Sequence, residues 1–289
     1  MNYASDQNQF PNRAARRRKT ALSIKNKGGV GGSHIAVATA TVLRMSGAGV
    51  FTTAIVDLDG STGTAISRMG EREPDGSISI EQSLAEGVPA IDLFDPAVRG
   101  SLFDLTETED RFLILDGPAA SLNMFENLTE NLDAGTWVAH NSACDRDLIV
   151  IVPITPHLAS IVAVGQAIDT FGPHAHYVVV RSMRGCTAAD YVLWDAPDFR
   201  DKFGRVVSGR SKSRLEEVGG TVLDMPALNA AVLARVEALQ LPFHEAIGSP
   251  LLGAAERLSV KRWLEAWTRQ LDTIRGPLGL DDDFAWRVA

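Results

Sequence analysis

Hydrophobic positions gather into six short runs, at 21–25, 50–56, 112–115, 148–152, 177–180 and 221–226, most ending at an aspartate, a proline or a glycine loop. Runs such as Phe112-Leu113-Ile114-Leu115 do not alternate with polar residues. That pattern suits strands of a parallel sheet, which are covered on both faces. Between the runs the period lengthens to that of helices. Residues 33–45 are rich in alanine and β-branched residues and stop at Ser46-Gly47-Ala48-Gly49, a glycine-rich helix end. Helices are also predicted at 80–87, 96–107 and 157–171, from Ala227 onward, and over 251–274. In the last of these, Trp263 and Trp267 sit one turn apart and read as packing positions. Residues 70–78 form a turn-rich connection. Strands alternating with helices predict an α/β fold, a doubly wound and mostly parallel sheet in a single domain. The domain is expected to span 20–275. Residues 1–19, polar and then basic through Arg13, Arg16, Arg17, Arg18 and Lys19, read as a disordered arm, and 276–289 as an acidic tail.

In such a sheet, ligands bind beyond the carboxyl ends of the strands. Three features fall there. The first is Ile24-Lys25-Asn26-Lys27-Gly28-Gly29-Val30-Gly31-Gly32-Ser33, whose backbone N–H groups and following helix make an anion site. A phosphate-binding loop normally ends Gly-Lys-Ser/Thr, with the lysine on the β/γ-phosphates and the hydroxyl on Mg²⁺. Here Gly32 stands in the lysine's place and Ser33 follows in register. The second feature is the pair Asp57 and Asp59 after the second strand. The third is Asp116, which closes the 112–115 strand where a Mg²⁺-binding carboxylate is expected. Taken singly, the loop could be a tight turn and the aspartates caps or solvated carboxylates. In this order they point to a nucleotide site.

Lys27-Gly28-Gly29-Val30-Gly31 is the core of a deviant Walker A motif. With Ile55-Val56-Asp57-Leu58-Asp59 and Leu113-Ile114-Leu115-Asp116-Gly117-Pro118, the chain resembles the ParA/MinD family of P-loop ATPases (CobQ/CobB/MinD/ParA nucleotide-binding domains) over roughly residues 20–275. The resemblance implies ATP and Mg²⁺ as ligands, a homodimer formed around nucleotide, hydrolysis that resets it, and a protein adaptor. It implies that Lys27 reaches the phosphates held by the partner subunit, while Gly28, Gly29, Val30, Gly31, Gly32, Ser33 and His34 cradle the nucleotide. Ser33, Asp57 and Asp116 would surround Mg²⁺, Asp59 would place the attacking water, and Arg181 and Pro226 would lie at the base. Two departures count. Losing an electrostatic contact like that of the missing lysine costs ~3–4 kcal/mol in the transition state. Hydrolysis is therefore expected to be slow or absent unless Lys25, Lys27 or the partner's Lys27 supplies the charge. Arg181 stands where the family usually has an asparagine, which leaves adenine or guanine open.

The first functional expectation is a nucleotide-dependent dimerising switch in DNA partition or plasmid transfer. The alternative is a pseudo-ATPase scaffold that positions a protein partner without turnover. A ligase or reductase component of the same fold class is disfavoured, since Cys144 and Cys186 are far apart and form no cluster-ligand pair. Their spacing also fits a reducing cytosol. A net charge of −8 over 289 residues demands neither a nucleic-acid nor a membrane partner. Locally, Arg200, Lys202, Arg205, Arg210, Lys212 and Arg214 face only Asp201 within that stretch, and could touch DNA phosphates or form a solvated face. No apolar run approaches the ~18–20 residues of a membrane span, so a cytoplasmic location is expected.

Overall fold

Seven of the eight residues of β1 (Arg18–Lys25) are buried, because this strand lies inside the sheet with a neighbour on each edge. The computed structural model describes residues 17–60, 63–196, 198–208 and 210–288. β2 (Thr53–Asp57), β3 (Phe112–Ala119), β4 (Arg146–Ile154), β5 (His176–Ser182) and β6 (Thr221–Met225) complete a six-stranded sheet. Its order is β2-β3-β1-β4-β5-β6, with every neighbouring pair parallel. All six strands read from the sequence are present, and the α/β, doubly wound architecture is the expected one. The chain winds to one side through β2 and β3, then crosses β1 to β4 and continues outward. That reversal places a crevice at the carboxyl end of β1, where Lys25 sits.

Twelve α-helices are present among the described residues, with a 3₁₀ turn at Ala188–Asp190. They are α1 (Gly32–Gly47), α2 (Thr64–Met69), α3 (Ser101–Thr106), α4 (Ser121–Phe125), α5 (Ala134–Ala143), α6 (Leu158–Phe171), α7 (Val192–Asp195), α8 (Ser211–Glu217), α9 (Ala230–Ala238), α10 (Phe243–Ala246), α11 (Ala254–Asp272) and α12 (Arg275–Leu278). Two apolar layers flank the sheet. Ala21, Ile114, Ile149 and Val178 face α1 and α11, whereas Leu22, Leu115, Val150 and Val179 face α5 and α6. Covering both faces is what removed the alternation from the strand sequences. Trp263 and Trp267 are buried as expected, and the Trp267 indole N–H donates to Thr39 Oγ1 at 3.1 Å.

Three expectations need correction. No helix forms at 80–87, where Gln82 Oε1 instead accepts from the backbone N–H groups of Glu71 and Val88 at 2.8 and 3.0 Å. The helix expected at 96–107 shrinks to α3, because the Asp95 carboxylate takes the Ala97 N–H (2.9 Å) and starts a turn. The ordered chain also extends past both expected boundaries. Arg17 pairs with Asp145 and Asp147, and the buried Lys19 with Asp147 at 2.6 Å, so the last cations of the expected arm belong to the fold. The rest of that arm, 1–16, lies outside the described residues. Beyond α12, Phe284 stacks on Phe51 at 5.6 Å, and the Arg287 N–H donates to Ser46 Oγ at 2.9 Å. Apolar residues on either side of the acidic triplet thus dock it against the end of α1. Among the described residues no helix is long and apolar enough to cross a membrane.

Candidate nucleotide site

The loop between β1 and α1 turns through two glycines in the left-handed region, Gly29 (φ +81) and Gly31 (φ +91). Non-glycine residues enter that region only with strain. Gly31 is the N-cap of α1, and Val30 before it is buried. The first-turn N–H groups of α1 therefore open toward the loop's concave side, where the helix dipole favours an anion. A cavity of about 430 Å³ lies there. Its polar end is formed by Lys25, the loop glycines, Ser33, His34, Asp59 and Arg184. Its apolar end is formed by Met225, Pro226, Leu228, Leu233 and Trp263. The Trp263 indole N–H is held by the Pro226 carbonyl at 2.8 Å, which fixes that wall.

Lys25 is the centre of the polar end. Its Nζ donates to Ser33 Oγ at 2.8 Å and to Asp116 Oδ1 at 2.9 Å. Lys25 is 8% and Asp116 2% exposed, so this is a buried ion pair rather than a surface one. The methylene stem runs directly over Gly32. A Cβ added there would lie 2.6 Å from Lys25 Cδ and 2.8 Å from Cγ and Cε. The bareness of Gly32 thus leaves the space through which the Lys25 stem passes.

The carboxylates divide their roles. Asp57 is fully buried; its Oδ1 accepts the Asp59 N–H and its Oδ2 the Ile66 N–H, each at 3.0 Å. It caps the start of α2, and Gly63 must stay bare because a Cβ there would lie 2.0 Å from Asp57 Oδ1. Burial, then the nearby Asp116, pushes the Asp57 carboxyl up to about 6. Asp59 is exposed at the cavity rim, and burial of part of its surface raises its pKa against the lowering effect of Lys25. Burial lowers His34 to about 4, helped by the cations Arg68, Arg184 and Lys25, so its imidazole is neutral at pH 7. Its Nε2 is buried with no hydrogen-bond partner among the described residues, and His34 lines the cavity.

Of the residues expected at a phosphate site, the structure gathers Gly28, Gly29, Gly31, Gly32, Ser33, His34, Asp59 and Pro226 around one cavity. Lys27 is exposed and borders an adjoining cleft with Val30, His157 and Arg184. Ser33 Oγ and Asp116 Oδ1 converge on one cationic centre, so their donor chemistry fits Mg²⁺. Asp57 does not fit the part of a metal ligand as well, since both of its oxygens serve backbone N–H groups. Arg181, expected at the base, turns away from the cavity. It forms a two-pronged ion pair with Asp224 on β6 (2.7 and 2.9 Å) and lies over the Tyr191 ring. Ser182 and Arg184 take its place in the lining. Sequence reasoning passed over Arg184 and Glu237, which carried no motif. It named Lys25 beside Lys27 and the partner's Lys27 as a source of the missing charge, without the further signal that a lysine ending a buried strand is itself an anomaly.

The basic cluster is compensated by Asp201 and by three carboxylates outside the stretch first considered. Arg205 pairs with Asp201, Arg210 with Asp198, Lys212 with Asp195 and Arg214 with Asp169. Lys202 lies over the Phe203 ring, and the Arg200 guanidinium donates to the Gly204 carbonyl.

Fold and site together define a doubly wound α/β protein with a glycine loop at its switch point and, beside it, two aspartates paired across β2 and β3. No protein-family model matches the chain. No curated protein matches it either. Among solved structures, it is similar to a ParA family ATPase from Chlorobium tepidum TLS, at 12% identity and TM-score 0.46, over 86% of this chain and 98% of that one. A nucleotide-binding protein from Archaeoglobus fulgidus in complex with ADP aligns at 15% identity and TM-score 0.42, covering 79% and 88% of the two chains. A candidate plasmid partition protein from Borrelia burgdorferi B31, bound to AMPPNP, aligns at 13% identity and TM-score 0.41, covering 88% and 99%. At TM-scores below 0.5 these likenesses do not bear on the function of this chain.

Proposed function

We propose that the chain binds a nucleoside triphosphate with Mg²⁺ in this cavity and works as a nucleotide-dependent, dimerising switch of the ParA/MinD kind, in DNA partition or transfer. The observation that carries the reading is the convergence of the glycine loop, the Lys25 ammonium, Ser33 and Asp116 at the end of β1. The loop N–H groups and the α1 terminus would hold the phosphates. Ser33 and Asp116 would hold Mg²⁺, which offsets phosphate charge when bound. The apolar end would cover the base, and the unpartnered His34 Nε2 offers a further contact to the ligand. The exposed Lys27 is available to a second subunit, and an adaptor protein belongs to the same reading. The switch is expected to be slow, because the ammonium that must serve the phosphates begins tied to Asp116.

One observation favours the scaffold alternative. Lys25 and Asp116 already satisfy each other as a buried ion pair, so these two charges need no ligand to be held. Titration with a fluorescent ATP analogue, with and without Mg²⁺, and light scattering for mass separate the two readings. The switch reading predicts saturable binding and a doubling of mass with Mg²⁺ and nucleotide. Absence of binding at millimolar nucleotide leaves the scaffold.

A further inference from the structure

Gly32 removes the side chain that a phosphate loop uses to reach the β- and γ-phosphates, yet the space is filled. The Lys25 stem occupies the region where a residue-32 side chain would begin, within 2.6–2.8 Å of its Cβ position. The ammonium ends beside Ser33, the next residue of the loop, and lines the cavity with the glycines. We propose that Lys25 has taken over the phosphate-neutralising role vacated at position 32, reaching the triphosphate from the strand side of the loop. The proposal rests on the nucleotide-binding reading above and names the residue that meets the phosphates within one subunit.

Three lines of geometry favour Lys25 over the other nearby cations. Lys27 is exposed and lines the adjoining cleft rather than this cavity. Arg68 is joined to Glu237 in an ion pair. Arg184 lines the cavity, but from the segment after β5, and shows no contact with Ser33 or Asp116 among the described residues. Among the described residues, Lys25 alone touches both groups that would hold Mg²⁺. An ammonium carries three N–H donors, and two of Lys25's have partners among the described residues. A donor therefore remains for a phosphate oxygen. Full transfer of the ammonium to phosphate would release Ser33 and Asp116 for the cation, so the resting ion pair and the loaded state use the same three groups in a different pairing.

The steric relation makes the two lysine positions mutually exclusive. A side chain at 32 must displace the Lys25 stem. Gly32→Lys alone is therefore expected to bring no gain, contrary to what the loop sequence suggests. Lysine is instead expected to work at position 32 once position 25 is cleared.

The test is a titration of the full chain with N-methylanthraniloyl-ATP and N-methylanthraniloyl-AMP, with Mg²⁺, across wild type, Lys25→Met, Gly32→Lys and the double variant Lys25→Ala/Gly32→Lys. Methionine keeps an apolar stem over Gly32 and removes only the charge. Loss of a charge-assisted contact predicts about a 10- to 100-fold weaker triphosphate affinity in Lys25→Met, with little change for the monophosphate. The double variant should recover triphosphate affinity, and Gly32→Lys should bind no better than wild type. Circular dichroism melts identify any variant that is unfolded, and the recovery in the double variant is independent of the stability of Lys25→Met. Wild-type binding that is unchanged in a folded Lys25→Met overturns the assignment while leaving the nucleotide reading intact. A folded double variant that fails to recover overturns it too. A wild type that binds no triphosphate at all removes the nucleotide reading, and this assignment with it.

Discussion

His34 and Asp57 show how burial sets opposite pH responses a few residues apart in space. His34 is lowered from 6.5 to about 4, so between those values the unfolded chain binds more protons than the folded one. Stability contributed there rises with pH and is lost as pH falls through the window. Asp57 is raised from 3.8 to about 6, so between those values the folded chain holds the extra proton. Its contribution falls as pH rises through the window. The two slopes oppose each other across pH 4–6 in the ligand-free, metal-free protein. His34→Gln should expose the Asp57 slope, giving a urea midpoint that drops from pH 4.5 to pH 6. Asp57→Asn should expose the opposite slope. Parallel pH profiles in wild type and His34→Gln would show that His34 is protonated normally. The sequence placed both residues at the loop mouth, but a pKa depends on packing from α2 and neighbouring cations that no local motif encodes.

Among the elements, α2 depends on a single buried carboxylate and on the bareness of one residue. Gly63→Ala forces a methyl group into Asp57, and overpacking of this kind costs about 1–3 kcal/mol. A denaturant titration in which Gly63→Ala matches wild type would show that the segment relaxes freely. The strands were legible because burial on both faces leaves a continuous apolar run, as in Phe112-Leu113-Ile114-Leu115. α11 was legible from its tryptophans. The 80–87 segment was not, because the Ser83 hydroxyl captures the Glu86 and Gly87 N–H groups that a helix would have used. Helical period alone cannot report that competition.

For the molecule as a whole, net charge and local pairing argue in the same direction. The chain carries −8, and four cations of the 200–214 cluster meet carboxylates on or next to the surface they share. Phosphate contacts by that surface must first break these pairs, so its non-specific DNA affinity is expected to be weak. Gel-shift assays at about 50 and 200 mM salt should show little retention, whereas six free cations would give a steep salt dependence. The cluster was visible in the sequence, but its compensation was not, since Asp169 is 45 residues from Arg214. The site divides similarly. Its glycines, Ser33 and Asp116 were legible as a motif, while the crossing of Lys25 over Gly32 exists only in three dimensions.

That crossing constrains the order in which such a loop can be reached by substitution. A chain bearing lysine at both 25 and 32 must push one ammonium out of a slot sized for one stem. A chain bearing neither leaves the buried Asp116 carboxylate without its cation. Each single step from one arrangement to the other therefore passes through a compromised intermediate, by crowding along one route and by an unpaired charge along the other. The two positions form a sign-epistatic pair: the residue favoured at either is decided by its occupant seven positions away.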